Sequence, residues 1–144
     1  MNDQAAEPRP SPLLARALRD LSRARDAFYE KRYAETVERC QETLALFLPA
    51  GEAAAPTPEE QGDLFLRTWG AHIPLLEAER IAGIFTFFVR RKAQFRYERG
   101  RPLPRKEWWQ LLQITKEEAA EVLGASQRAV EAVRQGLHEG TPAP

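Results

Sequence analysis

Two successive amphipathic helices, predicted over residues 13–48, constrain the fold of this chain more than any other stretch. Because their apolar residues recur at spacings of three and four, they form one stripe on each helix. Exposure of either apolar stripe to water is unfavourable, so the helices are expected to fold back on each other across a tight turn at residues 30–32. The stripes consist of Leu14, Ala17, Leu18, Leu21, Ala24 and Phe28, followed by Tyr33, Val37, Cys40, Leu44 and Phe47.

The rest of the chain carries further helix signals. Ser11, Thr57 and Thr115 each precede a stretch of helical periodicity as an N-cap, and Pro12 and Pro58 suit the first helical position. No segment alternates like a strand bounded by hairpin turns. The sequence therefore predicts an all-α fold, an antiparallel up-and-down bundle of four main helices plus short ones. The helices are expected at about residues 12–30, 33–48, 58–69, 75–96 and 116–137.

Length and composition favour a single cytoplasmic domain. The chain has 144 residues, and we expect one helical domain at residues 11–138 between a disordered tail at residues 1–10 and a short tail at 139–144. The longest apolar run, residues 81–89, is too short to cross a bilayer, and the N-terminus does not resemble a signal peptide. No membrane association is therefore expected.

Charge and cysteine content limit the kinds of binding site that this chain is expected to form. Lysine plus arginine and aspartate plus glutamate both number 21, so nucleic acid could be attracted only by a local patch. Cys40 is the only cysteine, and it lies on the apolar stripe of the second helix. We expect it to be a buried structural thiol, with no disulfide, no metal site and no cofactor.

An arginine and a histidine, Arg67 and His72, are separated by four residues. An arginine can contact a phosphate with two N–H groups, and a histidine can exchange a proton near neutral pH. Together they can support metal-independent cleavage of RNA, with histidine as general acid or base. The alternative is a surface arginine and a histidine that caps a helix or fills a pocket, because this spacing is common.

Basic residues interleave with aromatic ones near residues 90–109, a combination that can bind single-stranded RNA through phosphates and stacked bases. We predict Arg91, Lys92, Arg96 and Arg99 as RNA-binding residues. The alternative is a solvated helix end whose aromatic side chains anchor a loop to the core. The run consists of Arg90, Arg91, Lys92, Arg96, Arg99, Arg101, Arg105 and Lys106, with Phe95, Tyr97, Trp108 and Trp109.

Three segments together resemble one known family. Residues 24–37 (ARDAFYEKRYAETV) resemble the helical turn at the start of HEPN domains. Residues 91–97 (RKAQFRY) are similar to the Arg-x-x-Ala-Asp-Tyr element that ends the long third helix of that family, and residues 117–134 resemble its last helix. The resemblance extends over about residues 13–137.

The HEPN resemblance implies a helical bundle that forms a homodimer and is associated with RNA or nucleotides. Many members carry an Arg-x(4–6)-His motif that acts as a ribonuclease site across the dimer. By that resemblance Arg67 and His72 are the catalytic pair, and Thr68 is the polar residue after the arginine. Pro74 stands where some members have a tyrosine. Other members lack catalysis and partner a nucleotidyltransferase in toxin–antitoxin or defence pairs, which leaves a non-catalytic binding module as an alternative.

A second alternative is a DNA-binding helix-turn-helix at residues 116–133. Ala120, Gly124, Val130 and Val133 have the spacing of that motif, in which the glycine makes the turn. The opposing interpretation is one continuous amphipathic helix that tolerates a glycine at a cost of ~1 kcal/mol. We favour the continuous helix, since the glutamates of this segment would repel phosphate.

Overall fold

The computed structural model of the protein describes residues 11–49, 55–102 and 113–138. These residues contain helices and turns and no strand, which confirms the all-α prediction. The helices are α1 (Pro12–Tyr29), α2 (Tyr33–Ala45), α3 (Pro58–Trp69), α4 (Leu75–Phe85), α5 (Phe87–Arg99) and α6 (Lys116–His138), with a 3-10 helix at Gly70–His72. The two predicted tails and the residues Arg105, Lys106, Trp108 and Trp109 lie outside the described residues.

One cluster of buried side chains draws on all six helices. Helix α6 lies against α1, α2 and α4, and α3 packs on α4. The stripe predicted on α1 is correct except for Leu18, which is exposed because it lies about 100° around the helix from Ala17. The buried residues of α6 are Ala119, Val122, Leu123, Ala125, Ser126, Ala129, Val130 and Val133.

The predicted tight turn between α1 and α2 is confirmed. Lys31 adopts the left-handed conformation, with φ of 64°. The backbone N–H of Lys31 donates to the carbonyl of Phe28, and that of Arg32 donates to the carbonyl of Ala27. These two bonds form a Schellman motif, which satisfies the last carbonyls of α1. The Arg32 guanidinium also pairs with Glu30 at 2.7 Å and with Glu35.

The single long helix predicted over residues 75–96 is wrong, because the chain breaks at Thr86 into α4 and α5. Thr86 has φ of −97° and ψ of 3°, outside the helical range. The carbonyls released by the break are satisfied by side chains. Arg90 Nη2 donates to the Gly83 carbonyl at 2.9 Å, and Gln41 Nε2 donates to the Ile84 carbonyl at 2.8 Å. A threonine hydroxyl that competes for backbone bonds favours such a bend, and the Thr86 hydroxyl lies 3.5 Å from the Gly83 carbonyl.

Helix α6 runs unbroken from Lys116 to His138 and passes through Gly124. The helix-turn-helix interpretation of residues 116–133 is therefore wrong, since that motif needs a turn at this glycine. The helix begins with the predicted capping box, in which the Thr115 hydroxyl accepts from the Glu118 N–H at 3.1 Å and the Glu118 carboxylate accepts from the Thr115 N–H at 3.0 Å. None of the helices in the described residues has both the length and the hydrophobicity to span a membrane.

Cys40 is fully buried, as predicted, where α2 faces α6. Burial raises the pKa of its thiol to about 11. The neighbouring Ser126 hydroxyl has no hydrogen-bond partner of good geometry among the described residues, and its weak interaction with the thiol lowers the pKa less than burial raises it. The folded protein therefore keeps this thiol protonated at a pH where an unfolded chain ionises it.

We predict that stability falls as the pH rises above about 9, because the unfolded state then releases the thiol proton first. Between pH 8 and pH 10 the free energy of unfolding of the wild type should fall by about 1–2 kcal/mol more than that of the Cys40→Ala variant. Urea denaturation at both pH values measures the difference. Equal losses in the two proteins would contradict a buried, protonated thiol.

Candidate functional site

The two predicted catalytic residues lie at the surface at the end of α3. Arg67 is in the last turn of α3, and His72 ends the 3-10 helix that follows; both side chains are exposed. Thr68 is different, since its side chain is buried and its hydroxyl donates to the Leu64 carbonyl at 2.8 Å. The polar group of Thr68 is therefore used within its own helix.

Trp69 fixes the position of the turn that carries His72. Its indole N–H donates to the Phe47 carbonyl at 3.0 Å, and its ring meets that of Phe47 edge-on with centroids 6.4 Å apart. The ring also lies so close to α6 that a Cβ added at Gly136 would come within 3.0 Å of Trp69 Cε3. Contacts on both sides therefore hold the end of α3 between the end of α2 and the last turns of α6.

A small cleft of about 50 Å³ lies beside His72. Trp69 and Ala71 line one side, and Gln135 and Gly136 of α6 line the other. The described residues that line this cleft do not include Arg67. Ligand pockets usually measure ~300–1,000 Å³, so this cleft is too small to enclose a nucleotide. Gln135 was not predicted from the sequence, because only the packing of α6 against the turn brings it near His72.

Helix α5 presents most of the predicted basic patch. Its buried residues are Phe87, Phe88 and Phe95. Lys92, Arg96 and Arg99 are exposed, and their spacing of four and then three residues puts them on one stripe of the helix. The structure thus brings three of the four predicted RNA-binding residues into one row.

Arg91, the fourth predicted RNA-binding residue, is half-buried and engaged within the protein. Its guanidinium pairs with Glu118 of α6, donates to the Gln113 carbonyl at 3.2 Å and lies 5.2 Å from the Phe87 ring centroid. These contacts connect the beginning of α5 to the beginning of α6. Arg91 therefore helps to fix the orientation of α5 relative to α6.

Arg99 of this row and Arg101, a further cation, lie against the same aromatic ring at the end of α5. The guanidinium carbons of Arg99 and Arg101 lie 5.5 and 5.6 Å from the centroid of the Phe95 ring, within the range of cation–π contacts. Gly100, with φ of 69°, turns the chain so that both arginines reach the same ring. The side chain of Tyr97 is 90% exposed. In the part of the chain that the structure describes, no group of three or more histidine, cysteine or acidic residues is placed to hold a metal ion.

Two glycines of α6 provide a matched test of this packing. A Cβ at Gly124 would meet only the flexible guanidinium of Arg128, at 3.5 Å, so Gly124→Ala should stabilise the protein by about 0.5–1 kcal/mol through helix propensity. A Cβ at Gly136 would crowd the Trp69 ring, so Gly136→Ala should destabilise it by about 1 kcal/mol.

Chemical denaturation of the two variants and the wild type measures both effects. Destabilisation by Gly124→Ala would contradict the unbroken helix. Stabilisation by Gly136→Ala would contradict the close contact between α6 and Trp69.

No protein-family model matches this chain, nor does any curated protein or any solved structure. The functional assignment therefore depends on two features of the molecule. One is the exposed pair Arg67 and His72 at the end of α3, and the other is the exposed row of cations on α5.

Proposed function

We propose that this protein is a HEPN-like module that binds single-stranded RNA through α5. The observation that carries the proposal is the row of Lys92, Arg96 and Arg99 on a largely exposed helix. Between residues 90 and 101 there are six cations and one carboxylate, that of Glu98. A chain with no net charge thus concentrates positive charge at one place, which favours a polyanion there.

The geometry of α5 suits an extended strand. Lys92 and Arg96 are separated by a rise of about 6 Å along the helix, and Arg96 and Arg99 by about 4.5 Å. A row about 10 Å long can contact successive phosphates of one strand. Tyr97 lies about 100° around the helix from Arg96 and offers an exposed ring on which a base can stack.

The proposal includes metal-independent cleavage of the bound RNA. Arg67 would neutralise charge that develops on the scissile phosphate, and His72 would transfer the proton to or from the reacting oxygen. Support comes from the exposure of both side chains at the same end of α3. The proposed assembly is a cytoplasmic homodimer of antiparallel up-and-down bundles. A second copy is favoured because the cleft beside His72 is too small to enclose a nucleotide.

The alternative function is a non-catalytic module that binds a nucleotidyltransferase in a toxin–antitoxin or defence pair. The observation that favours it is that Arg67 does not line the cleft beside His72 in the described structure. Both functions retain RNA or nucleotide association and differ in whether RNA is cut.

Substitutions on α5 test RNA binding. We expect Arg96→Glu or Arg99→Glu to weaken binding to a single-stranded oligoribonucleotide roughly tenfold, because each removes a charge-assisted phosphate contact. Arg96→Ala should also reduce the slope of log affinity against log salt by about 0.7. Fluorescence anisotropy measures both, with Arg16→Glu and Arg19→Glu on the exposed face of α1 as controls. Equal losses from both helices would argue against a binding row on α5.

Two histidine variants test cleavage. We expect His72→Ala to abolish cleavage of single-stranded RNA in the presence of EDTA while leaving the fold intact, because the side chain is exposed. The control is His138→Ala, which removes the other histidine at the exposed end of α6. Unaltered cleavage by His72→Ala would remove His72 from the site, and RNA binding without cleavage by the wild type would favour the non-catalytic alternative.

A further inference from the structure

Two exposed arginines converge on one buried ring at the end of α5. The guanidinium carbons of Arg99 and Arg101 lie 5.5 and 5.6 Å from the centroid of Phe95, so they are at most about 11 Å from each other. Two like charges held this close repel each other. An anion placed between them is attracted by both and removes the repulsion.

The local backbone holds the two arginines in this arrangement. The N–H of Gly100 donates to the Arg96 carbonyl at 2.9 Å and ends α5, and its φ of 69° turns the chain before Arg101. Pro102 follows and restricts the backbone of Arg101 to extended conformations. A ligand that binds here therefore orders little additional backbone, which favours affinity.

The N–H donors of this pair are not used by carboxylates in the part of the chain that the structure describes. None of its ion pairs includes Arg99 or Arg101. The neighbouring Glu98 accepts instead from Gln94 Nε2 at 3.0 Å. The Phe95 ring attracts both cations but offers no strong hydrogen-bond acceptor, so their donors remain for a ligand.

The pair stands at one end of the cationic row on α5. Lys92, Arg96 and Arg99 follow one stripe of the helix, the helix ends after Arg99, and Arg101 lies just beyond it. A strand that lies along the row meets Arg99 last. The position beside Arg101 thus suits the group at the end of a strand.

We propose that Arg99 and Arg101 bind the terminal phosphate monoester of an RNA strand on α5. The inference rests on the proposed RNA binding and names the strand end that is recognised. A phosphate monoester has a charge of about −1.5 to −2 at pH 7 and three acceptor oxygens, whereas an internal phosphodiester has a single charge. Arginine is always charged and binds phosphate through two parallel N–H groups, so two arginines match the doubly charged group best.

Three short oligouridylates of equal length test the site. One has a 5′-phosphate, one a 3′-phosphate, and one a hydroxyl at both ends. Competition with a labelled strand, followed by fluorescence anisotropy, measures the affinity of the full chain for each. At least one phosphorylated strand should bind the wild type roughly tenfold more tightly than the hydroxyl-ended strand, and the preferred end gives the strand direction on α5.

The same measurement separates this site from RNA binding in general. Equal affinity of the wild type for all three strands would overturn the terminal-phosphate site but not RNA binding by α5. Absence of binding to any strand would overturn both.

Two variants that each remove one positive charge locate the preference. Arg101→Ala should bring the affinity ratio of phosphorylated to hydroxyl-ended strand close to one, with little change for the hydroxyl-ended strand. Arg96→Ala should weaken all three strands alike and preserve the ratio. Arg101→Lys, which keeps the charge but not the paired N–H groups, should retain part of it. A ratio that survives Arg101→Ala would overturn the site.

The pH dependence of the ratio is a readout that a purely structural role of Arg101 would not produce. A phosphate monoester takes up its second proton with a pKa of ~6 and then has a single charge. The preference should therefore be larger at about pH 7.5 than at about pH 5. Uracil does not titrate in this range, and the hydroxyl-ended strand corrects for protonation of the protein. An equal ratio at both pH values would contradict recognition of the doubly charged group.

Discussion

The packing of α6 against α1, α2 and α4 is the interaction on which the rest of the structure depends. Its buried stripe of small and β-branched residues runs along the helix for some four turns, from Ala119 to Val133. Small residues at Ala119, Ala125 and Ala129 let neighbouring helices approach closely. Since burial of apolar surface is the main favourable term in folding, this seam orders the described helices around one core.

The last turns of α6 also determine where the candidate catalytic residues lie. Gly136 accepts the Trp69 ring, and the indole N–H of Trp69 is bound to the Phe47 carbonyl. The 3-10 helix that follows is thereby held with His72 exposed beside α6. A site that is proposed to transfer protons needs such a fixed backbone, because small displacements of a catalytic group cost rate.

The break at Thr86 divides one stretch of sequence into a helix that packs in the core and a helix that is largely exposed. Before it, α4 packs into the core through Ile81 and Ile84; after it, α5 keeps Phe87 and Phe88 in the core and exposes cations along its outer face. Arg90 and Arg91 connect α5 to the carbonyl of Gly83 and to Glu118, so the exposed helix has a defined direction.

The sequence alone determined the class of the fold and most helix boundaries. Its periodicities predicted the stripes of α1 and α2, and its caps at Ser11, Thr57 and Thr115 predicted where helices begin. Local signals of this kind depend on a residue and its neighbours three or four positions away, which is why they can be recognised without tertiary information. The same signals predicted a continuous helix through Gly124.

Only the tertiary structure decided the break at Thr86, the internal role of Arg91 and the closeness of Gln135 to His72. Each depends on residues distant in sequence: Gln41 satisfies the carbonyl of Ile84 at the break, and Glu118 pairs with Arg91. A periodicity of 3.6 residues continues unchanged through residues 75–96, so it contains no signal for a bend that side chains from other helices stabilise. For the same physical reason, the sequence located cations and a histidine but could not determine which of them face solvent.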